Sequence, residues 1–488
     1  MSKQVIIVGS GNAAMCAGIA AIEAGAQVLM LEKAGMALSG GNTKYTAGAM
    51  RFAYNGANDL LPLLKNPKDP RLKVTDFDGY SEAKFAQDLL MFNGGRPLSP
   101  EQNRLITQSL SAMQWLGGHG VKFEPIYSRQ SFEKDGRHVF WGGLTLAAEN
   151  EGVGLFDMEL AAFQRLGGTI RYNAAVTGLL VTQGRVTGVR IGDAEITADA
   201  VILACGGFEA SSDLRRDWMG GHWDKAKVRG TPMNTGDGLV MGAEVGAQSY
   251  GLIDGCHATP MDLHMPDYAN LDLPASERKN YRKICYFLGV MLNANGARFV
   301  DEGENFRNYT YAQFGKAVLA QPHHFAWQIF DAKVEELLYD EYRFHDAHFV
   351  TADTLYGLCE KLDGVDPVAA RKTLETYNAA VNHEVPFDPT ALDGKNTDGL
   401  SPAKSNWAQR IDTPPFKAYP VTGGITFTYG GLKVSETGAV LNEAGAVIDG
   451  LFAAGEMVGG IFFEGYPGGA GLTSGAVFGR NAGRGALL

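Results

Sequence analysis

The chain has 488 residues, 45% hydrophobic and 20% charged, which excludes a disordered polymer and calls for two or three packed domains. Its net charge of −11 excludes a nucleic-acid-binding surface and a basic membrane-binding face. Glycine, with 63 residues, is at nearly double the usual share of about 7% and clusters after apolar runs, where backbone must approach something bulky.

Val5-Ile6-Ile7-Val8 is too short for a signal-peptide core, and no later run reaches the ~18 residues of a membrane span. A cytoplasmic protein that does not itself cross a membrane is expected. The pattern predicts a buried strand over 4–8, an Ala-rich helix over 12–25 and a second buried strand over 27–31. Between the first strand and the helix, Gly9-Ser10-Gly11-Asn12-Ala13-Ala14 fits GxGxxA. The first glycine permits a tight turn, the second lets a pyrophosphate approach the backbone, and the small Ala14 allows close helix–strand packing. Glu32 ends the second strand, where an acid accepts ribose hydroxyls, and Lys33 beside it is assigned to the same site. Together these features predict a bound dinucleotide.

Residues 36–50 are predicted as loop, with Ser39-Gly40-Gly41-Asn42-Thr43 placed to wrap a pyrophosphate and ring. Helices are expected around 80–93, 100–117 and 154–166. Thr169–Asn173, Thr177–Thr182 and Arg185–Ile191 read as a small β-meander, with Val176 in a turn on the cofactor side. Val201–Ala204 is a buried strand ending in Cys205-Gly206-Gly207, and Ala204 and Gly206 are expected to touch the cofactor. Asn234-Thr235-Gly236-Asp237-Gly238 is another polar glycine loop, which adds Asp237.

From about 256 to 415 aromatic and charged residues increase, with helices expected around 330–342 and 367–383. After 416 the glycine-rich strand-and-turn pattern returns. Ala453-Ala454-Gly455-Glu456 closes a strand and brings a second acid to the ribityl region. Gly468-Gly469-Ala470-Gly471-Leu472 opens a last helix, whose free N–H groups suit negative charge on a reduced flavin. NAD and FAD share the first fingerprint, but four such loops in both halves of the chain favour FAD. The five cysteines form no CxxC pair, so neither iron–sulfur nor zinc is expected and no metal is assigned. The predicted fold is α/β: a Rossmann-like FAD-binding domain from residues 1–255 and 416–488, around an inserted α+β capping, catalytic domain over 256–415.

The stretches Gly40–Thr46, Arg229–Gly238, Gly255–Ala258, Arg298–Tyr311, Gly424–Gly431 and Tyr466–Leu472 resemble the fumarate reductase/succinate dehydrogenase flavoprotein superfamily. That superfamily includes 3-ketosteroid dehydrogenases and urocanate reductase, and the chain is most similar to its tricarballylate dehydrogenase branch. The resemblance implies hydride transfer between flavin N5 and a substrate carbon beside a carboxylate or carbonyl, as in oxidation of tricarballylate to cis-aconitate.

On the same resemblance, Arg307 lies near the superfamily's catalytic arginine, one residue further from Glu302; its competing reading is an ion pair with Asp301, Glu302 or Glu304. His257 is similar to a substrate-binding histidine, against the reading of a packed, hydrogen-bonded one. Tyr466 stands where fumarate reductases bind a carboxylate with arginine, as in ketosteroid dehydrogenases; it would hydrogen-bond a substrate oxygen or pack on the flavin. Thr426 and Thr428 lie near the place of a second histidine, although Thr428 also suits plain strand filling. Tyr309 and Tyr311 either line the pocket or serve packing. Asn42 replaces the histidine that carries flavin covalently in membrane-complex members, so non-covalent FAD is implied. In the basic run Arg278–Lys283, one member could reach a third carboxylate, although such runs are usually solvated surface.

Three activities remain open at this point: a polycarboxylate dehydrogenase, an enone reductase or dehydrogenase acting beside a ketone, and an accessory electron-transfer flavoprotein. The electron acceptor implied by the branch is a membrane iron–sulfur protein, with quinone or oxygen as alternatives.

Overall fold

In a computed structural model of the chain, which describes residues 2–140, 142–268, 273 and 281–488, the first apolar run lies inside a six-stranded sheet. Strand β1 (Gln4–Val8), helix α1 (Asn12–Glu23) and strand β2 (Gln27–Leu31) form the expected βαβ unit. Helix α2 (Glu151–Arg165) leads into β3 (Thr169–Arg171), and β4 (Ala200–Leu203) follows. Next come β5 (Lys227–Val228), β6 (Cys256–Asp262), β7 (Val290–Asn293), helix α3 (Arg307–Leu319), β8 (Phe325–Phe330) and the long β9 (Phe416–Thr428). Last are β10 (Ala439–Leu441), β11 (Val447–Ala453) and helix α4 (Ala470–Gly485).

The first sheet runs β10-β11-β4-β1-β2-β3, with β10 antiparallel and the other pairings parallel. Strands from both ends of the chain share it, Val201 standing opposite Leu451. Alternate residues explain the solid apolar runs. Val5, Ile7, Met30 and Ile202 pack toward α1, α2 and α4, whereas Ile6, Val8, Val201 and Leu203 pack toward the antiparallel trio Gly178–Thr182, Arg185–Ile191 and Ala194–Thr197. A sheet covered on both faces needs apolar residues at every position.

The meander differs from its sequence reading. Thr169–Arg171 is not part of it but pairs with β2, Leu29 opposite Thr169, and Ala194–Thr197 supplies the third strand instead. Helix α2 packs beside α1, so the chain leaving it returns parallel to β2 as a second crossover unit.

In the second sheet β9 is the hub. It pairs with β6, β8 and Val350–Ala352 antiparallel and with β5 parallel, and β7 adds outside β8. Helix α3 lies across β6 and β9. The predicted helix over 330–342 is instead the end of β8 and two short 3₁₀ segments, Ala332–Leu337 and Asp340–Tyr342. The chain extends at Leu338 and Tyr339 so that Leu338 and Tyr342 can enter the cluster around Phe330 and Tyr419. The predicted helix over 367–383 forms at Pro367–Ala380, capped by Asp366. Arg278, Lys279 and Asn280 of the basic run lie outside the described residues. Among the described residues no helix is long and apolar enough to cross a membrane.

Candidate active site

The carboxyl ends of β1, β2 and β4 open into a cavity of about 590 Å³ that continues to the second sheet and α3. At its floor Gly9 has φ +102°, and a Cβ there would stand 2.4 Å from the Ala204 carbonyl oxygen, so only glycine makes this turn. The N-cap of α1 is Gly11, and that of α4 is Gly469; neither helix start carries a side-chain cap. Two such N-termini opening into one cavity are suited to phosphate and to a reduced flavin ring. Asn12 Nδ2 donates to Leu472 O at 2.7 Å and ties the two starts together, while the Asn12 N–H donates to Thr43 Oγ1 at 2.9 Å. The cradle therefore fits FAD.

Glu32 is buried at the mouth of this turn. It accepts the Ala34 N–H at 2.7 Å and the Ser10 hydroxyl. Lys33 and Asp237 line the same end but hold each other at 2.7 Å, and Lys33 also donates to Thr235. All the residues assigned to the cofactor line the cavity except three. Ala14 is packed under the sheet, the Ser39 hydroxyl donates to Met36 O, and the Gly40 N–H donates to Ser10. Those three shape the cradle from behind.

Asn42 lines the cavity, yet its side-chain amide is fully engaged. Nδ2 donates to Glu209 Oε1 at 2.7 Å and to Thr426 O at 2.8 Å, and Oδ1 accepts the Thr231 N–H at 2.9 Å. Glu209, absent from the sequence reading, also accepts from Asn234 at 2.6 Å. Burial and the neighbouring Glu456 hold the Glu209 carboxyl well above the ordinary carboxylate range. Glu456 in turn accepts the Thr428 N–H and hydroxyl at 2.7 and 3.0 Å.

Toward α3 the wall changes from glycine to cations and phenols. Arg307, the first residue of α3, makes no ion pair among the described residues, and its guanidinium lies 4.9 Å from the Tyr339 ring centre. Two of the three acids proposed as its partners are held elsewhere: Glu302 by Arg298, and Asp301 by Ser405 and the Gly303 N–H. Burial opposes its charge, but Tyr339, Cys285, Tyr286 and Tyr311 outweigh that and raise its pKa. The Tyr466 and Tyr311 hydroxyls are 2.8 Å apart in the same wall, and burial together with Tyr311 pushes Tyr466 far up.

Two of the residues assigned to catalysis or substrate binding do not line the cavity. His257 is fully buried behind it, stacked on Phe427 at 5.5 Å and edge-on to Tyr311 and Tyr466. Tyr309 points away, 3.5 Å from Asp88 and stacked on Phe92. Thr426 and Thr428 do line it. Two further lining residues, Arg229 and Asn308, carry no role in the sequence reading, and Arg282, a member of the basic run in which one residue could reach a third carboxylate, lines the cavity as well. The signal available for Arg229 was its place at the head of the Gly-Thr-Pro-Met-Asn-Thr-Gly loop. Arg282 is matched by Glu341 at 2.6 Å. The wall can thus hold an anion and polarise an oxygen beside the cradle.

The family model described as FAD binding domain matches residues 4–472. A probable fumarate reductase of Shewanella frigidimarina is 29% identical over 499 residues, covering 99% of this chain and 74% of that protein. An NADH:fumarate oxidoreductase of Klebsiella pneumoniae is 28% identical over 501 residues, covering 99% of this chain and 47% of that protein, so the chain spans about half its length. The solved open conformation of a flavocytochrome c3 fumarate reductase matches with a TM-score of 0.72 at 26% identity, over 100% of this chain and 78% of that one.

Proposed function

This chain belongs to the family of FAD binding domains, and on that premise we propose that it oxidises a polycarboxylate at a CH–CH bond, tricarballylate to cis-aconitate being the type reaction. It is an FAD-dependent oxidoreductase acting on CH–CH bonds. FAD, when bound, supplies the hydride acceptor or donor. The chain's own residues position the substrate and handle the proton.

The observation that carries this reading is Arg307, a guanidinium without a carboxylate partner among the described residues, facing the cavity that continues from the cradle. A substrate carboxylate would complete it through a bidentate, charge-assisted pair. The same residue shuttles the proton of the carbon next to the reacting one: in the oxidation it first passes its own proton on and then accepts the carbon's, and in the reverse reduction it donates that proton back. The Tyr466–Tyr311 hydroxyl pair donates toward the second oxygen of the carboxylate and stabilises charge that develops there. Asn42, whose amide offers no nucleophile, supports non-covalent FAD. The acceptor that reoxidises the flavin is proposed to be a membrane iron–sulfur protein or quinone.

A second reading rests on the same tyrosines: two hydroxyls 2.8 Å apart suit a ketone oxygen, and hence an enone reductase or dehydrogenase. Anaerobic mixing separates the two. Under the first reading tricarballylate bleaches the flavin of the holoprotein, and Arg307→Ala abolishes the bleaching while FAD stays bound. Bleaching by a cyclic ketone alone would replace the first reading with the second.

A further inference from the structure

We propose that Arg229 is a second carboxylate-binding residue, so that the site selects substrates carrying at least two carboxylates and discriminates against monocarboxylates. This rests on the reading that the cavity beside the cradle holds the reacting substrate.

The backbone fixes where Arg229 stands. It follows β5 directly, and its N–H donates to Ile425 O at 2.8 Å, which docks the residue on β9. That is the point where β9 is irregular: His257 pairs with Phe427 but Ala258 pairs with Ile425, leaving Thr426 unopposed. A bulged residue is re-aimed out of the ladder. Thr426 uses its carbonyl to hold Asn42, and its hydroxyl accepts from Arg229 Nη1 at 3.3 Å.

That hydroxyl is a neutral partner for one of the five N–H donors of a guanidinium. Arg229 Nε is buried with no hydrogen bond, and among the described residues Arg229 makes no ion pair. Its charged and phenolic surroundings are Arg282, Tyr311, Tyr466 and Glu341, the group on the α3 side rather than the pyrophosphate end. Burial and the like charge of Arg282 lower it to about 10, so it remains protonated at neutral pH. An uncompensated cation in such a wall is costly until an anion joins it.

Two guanidiniums from different elements, Arg229 after β5 and Arg307 on α3, therefore face one cavity without carboxylate partners. Each matches one carboxylate as a planar fork. A monocarboxylate would leave one of them uncompensated, the arrangement that rejects an analogue lacking the expected group. The carboxylate-binding arginine missing at Tyr466 is thus supplied from a different part of the chain.

The test uses the holoenzyme under anaerobic conditions with butanoate, succinate and tricarballylate, following flavin absorbance and measuring kcat and KM for wild type, Arg229→Met and Arg229→Lys. Arg229→Met is expected to raise the apparent Kd or KM for succinate and tricarballylate by about 30-fold or more. Butanoate binding should stay within about threefold, and Arg229→Lys should restore part of the loss. Equal weakening for all three acids would mean a purely structural role and overturns the proposal, as does a variant indistinguishable from wild type. If no carboxylate perturbs the wild-type flavin, the reading of the reaction falls and this proposal falls with it.

Discussion

His257 carries two ring nitrogens, both buried and neither with a hydrogen-bond partner among the described residues. Burial, followed by the nearby Arg229, pushes its pKa well below the ordinary value, so the folded protein holds it neutral. The unfolded chain, by contrast, takes up a proton as the pH falls through about 6.5. Stability from this site is therefore fully present above that pH and is lost at up to ~1.4 kcal/mol per pH unit below it. His257→Phe keeps the contacts with Phe427, Tyr311 and Tyr466 and removes two unsatisfied atoms, each costing ~1–3 kcal/mol when buried. We expect it to raise stability by ~1 kcal/mol at pH 7 and by more at pH 5.5, read from denaturant midpoints at both values. A loss at both would show that the nitrogens have partners. The Gly-Cys-His-Ala stretch made His257 conspicuous in the sequence. Its turn away from the cavity was not legible there, because it depends on the irregular pairing of β6 with β9, and a one-residue shift changes the face a side chain occupies. Arg307 was singled out by its motif and does line the cavity, whereas the place of Arg229 in the same lining was hidden for the same reason as the turn of His257: its environment is set by a strand distant in sequence.

At the scale of elements, the cradle depends on how closely α4 approaches α1. A Cβ on Gly479 would stand 2.5 Å from Ala13 O, and one on Gly483 would stand 2.2 Å from Ala17 O. The obstacle is helix backbone, which cannot rotate aside. Gly479→Val should force the helices apart at a cost of ~1–3 kcal/mol. Because Asn12 Nδ2 holds Leu472 O, the separation should spread to both helix starts. The expected outcome is a flavin-to-protein ratio well below that of wild type after gel filtration; a full ratio would mean that the helices part without disturbing the cradle. β1, α1 and β2 were readable from sequence because local periodicity and the glycine turn agree there. Helix α3 was not, since its buried positions include Asn308 and Thr310 and leave no one-sided apolar stripe. The false helix over 330–342 is the converse case: helix-forming residues were overruled by the aromatic cluster around Phe330.

Across the whole molecule, the glycine loop that follows β2 and the end of β9 meet at one side chain. Asn42 bonds Thr426 O on β9, Thr231 in the loop after β5, and Glu209 beyond β4. In covalent flavoproteins of the resembling superfamily this place anchors the cofactor; here its hydrogen bonds join segments from three parts of the chain across the cavity. Asn42→Ala would leave the Thr426 carbonyl and the Thr231 N–H short of a partner, which sets the expected loss at ~2–4 kcal/mol. The Thr231 amide should then exchange with deuterium at least ~10-fold faster, while the amides of Val5–Val8 in the first sheet keep their protection. Acid precipitation of wild type should leave all its flavin in the supernatant, since an amide forms no bond to it, and the variant should already shed flavin during purification. If the variant keeps its flavin and the Thr231 amide stays protected, closure does not run through this side chain. The paired sheets alone would then have to hold the two sides of the cavity together.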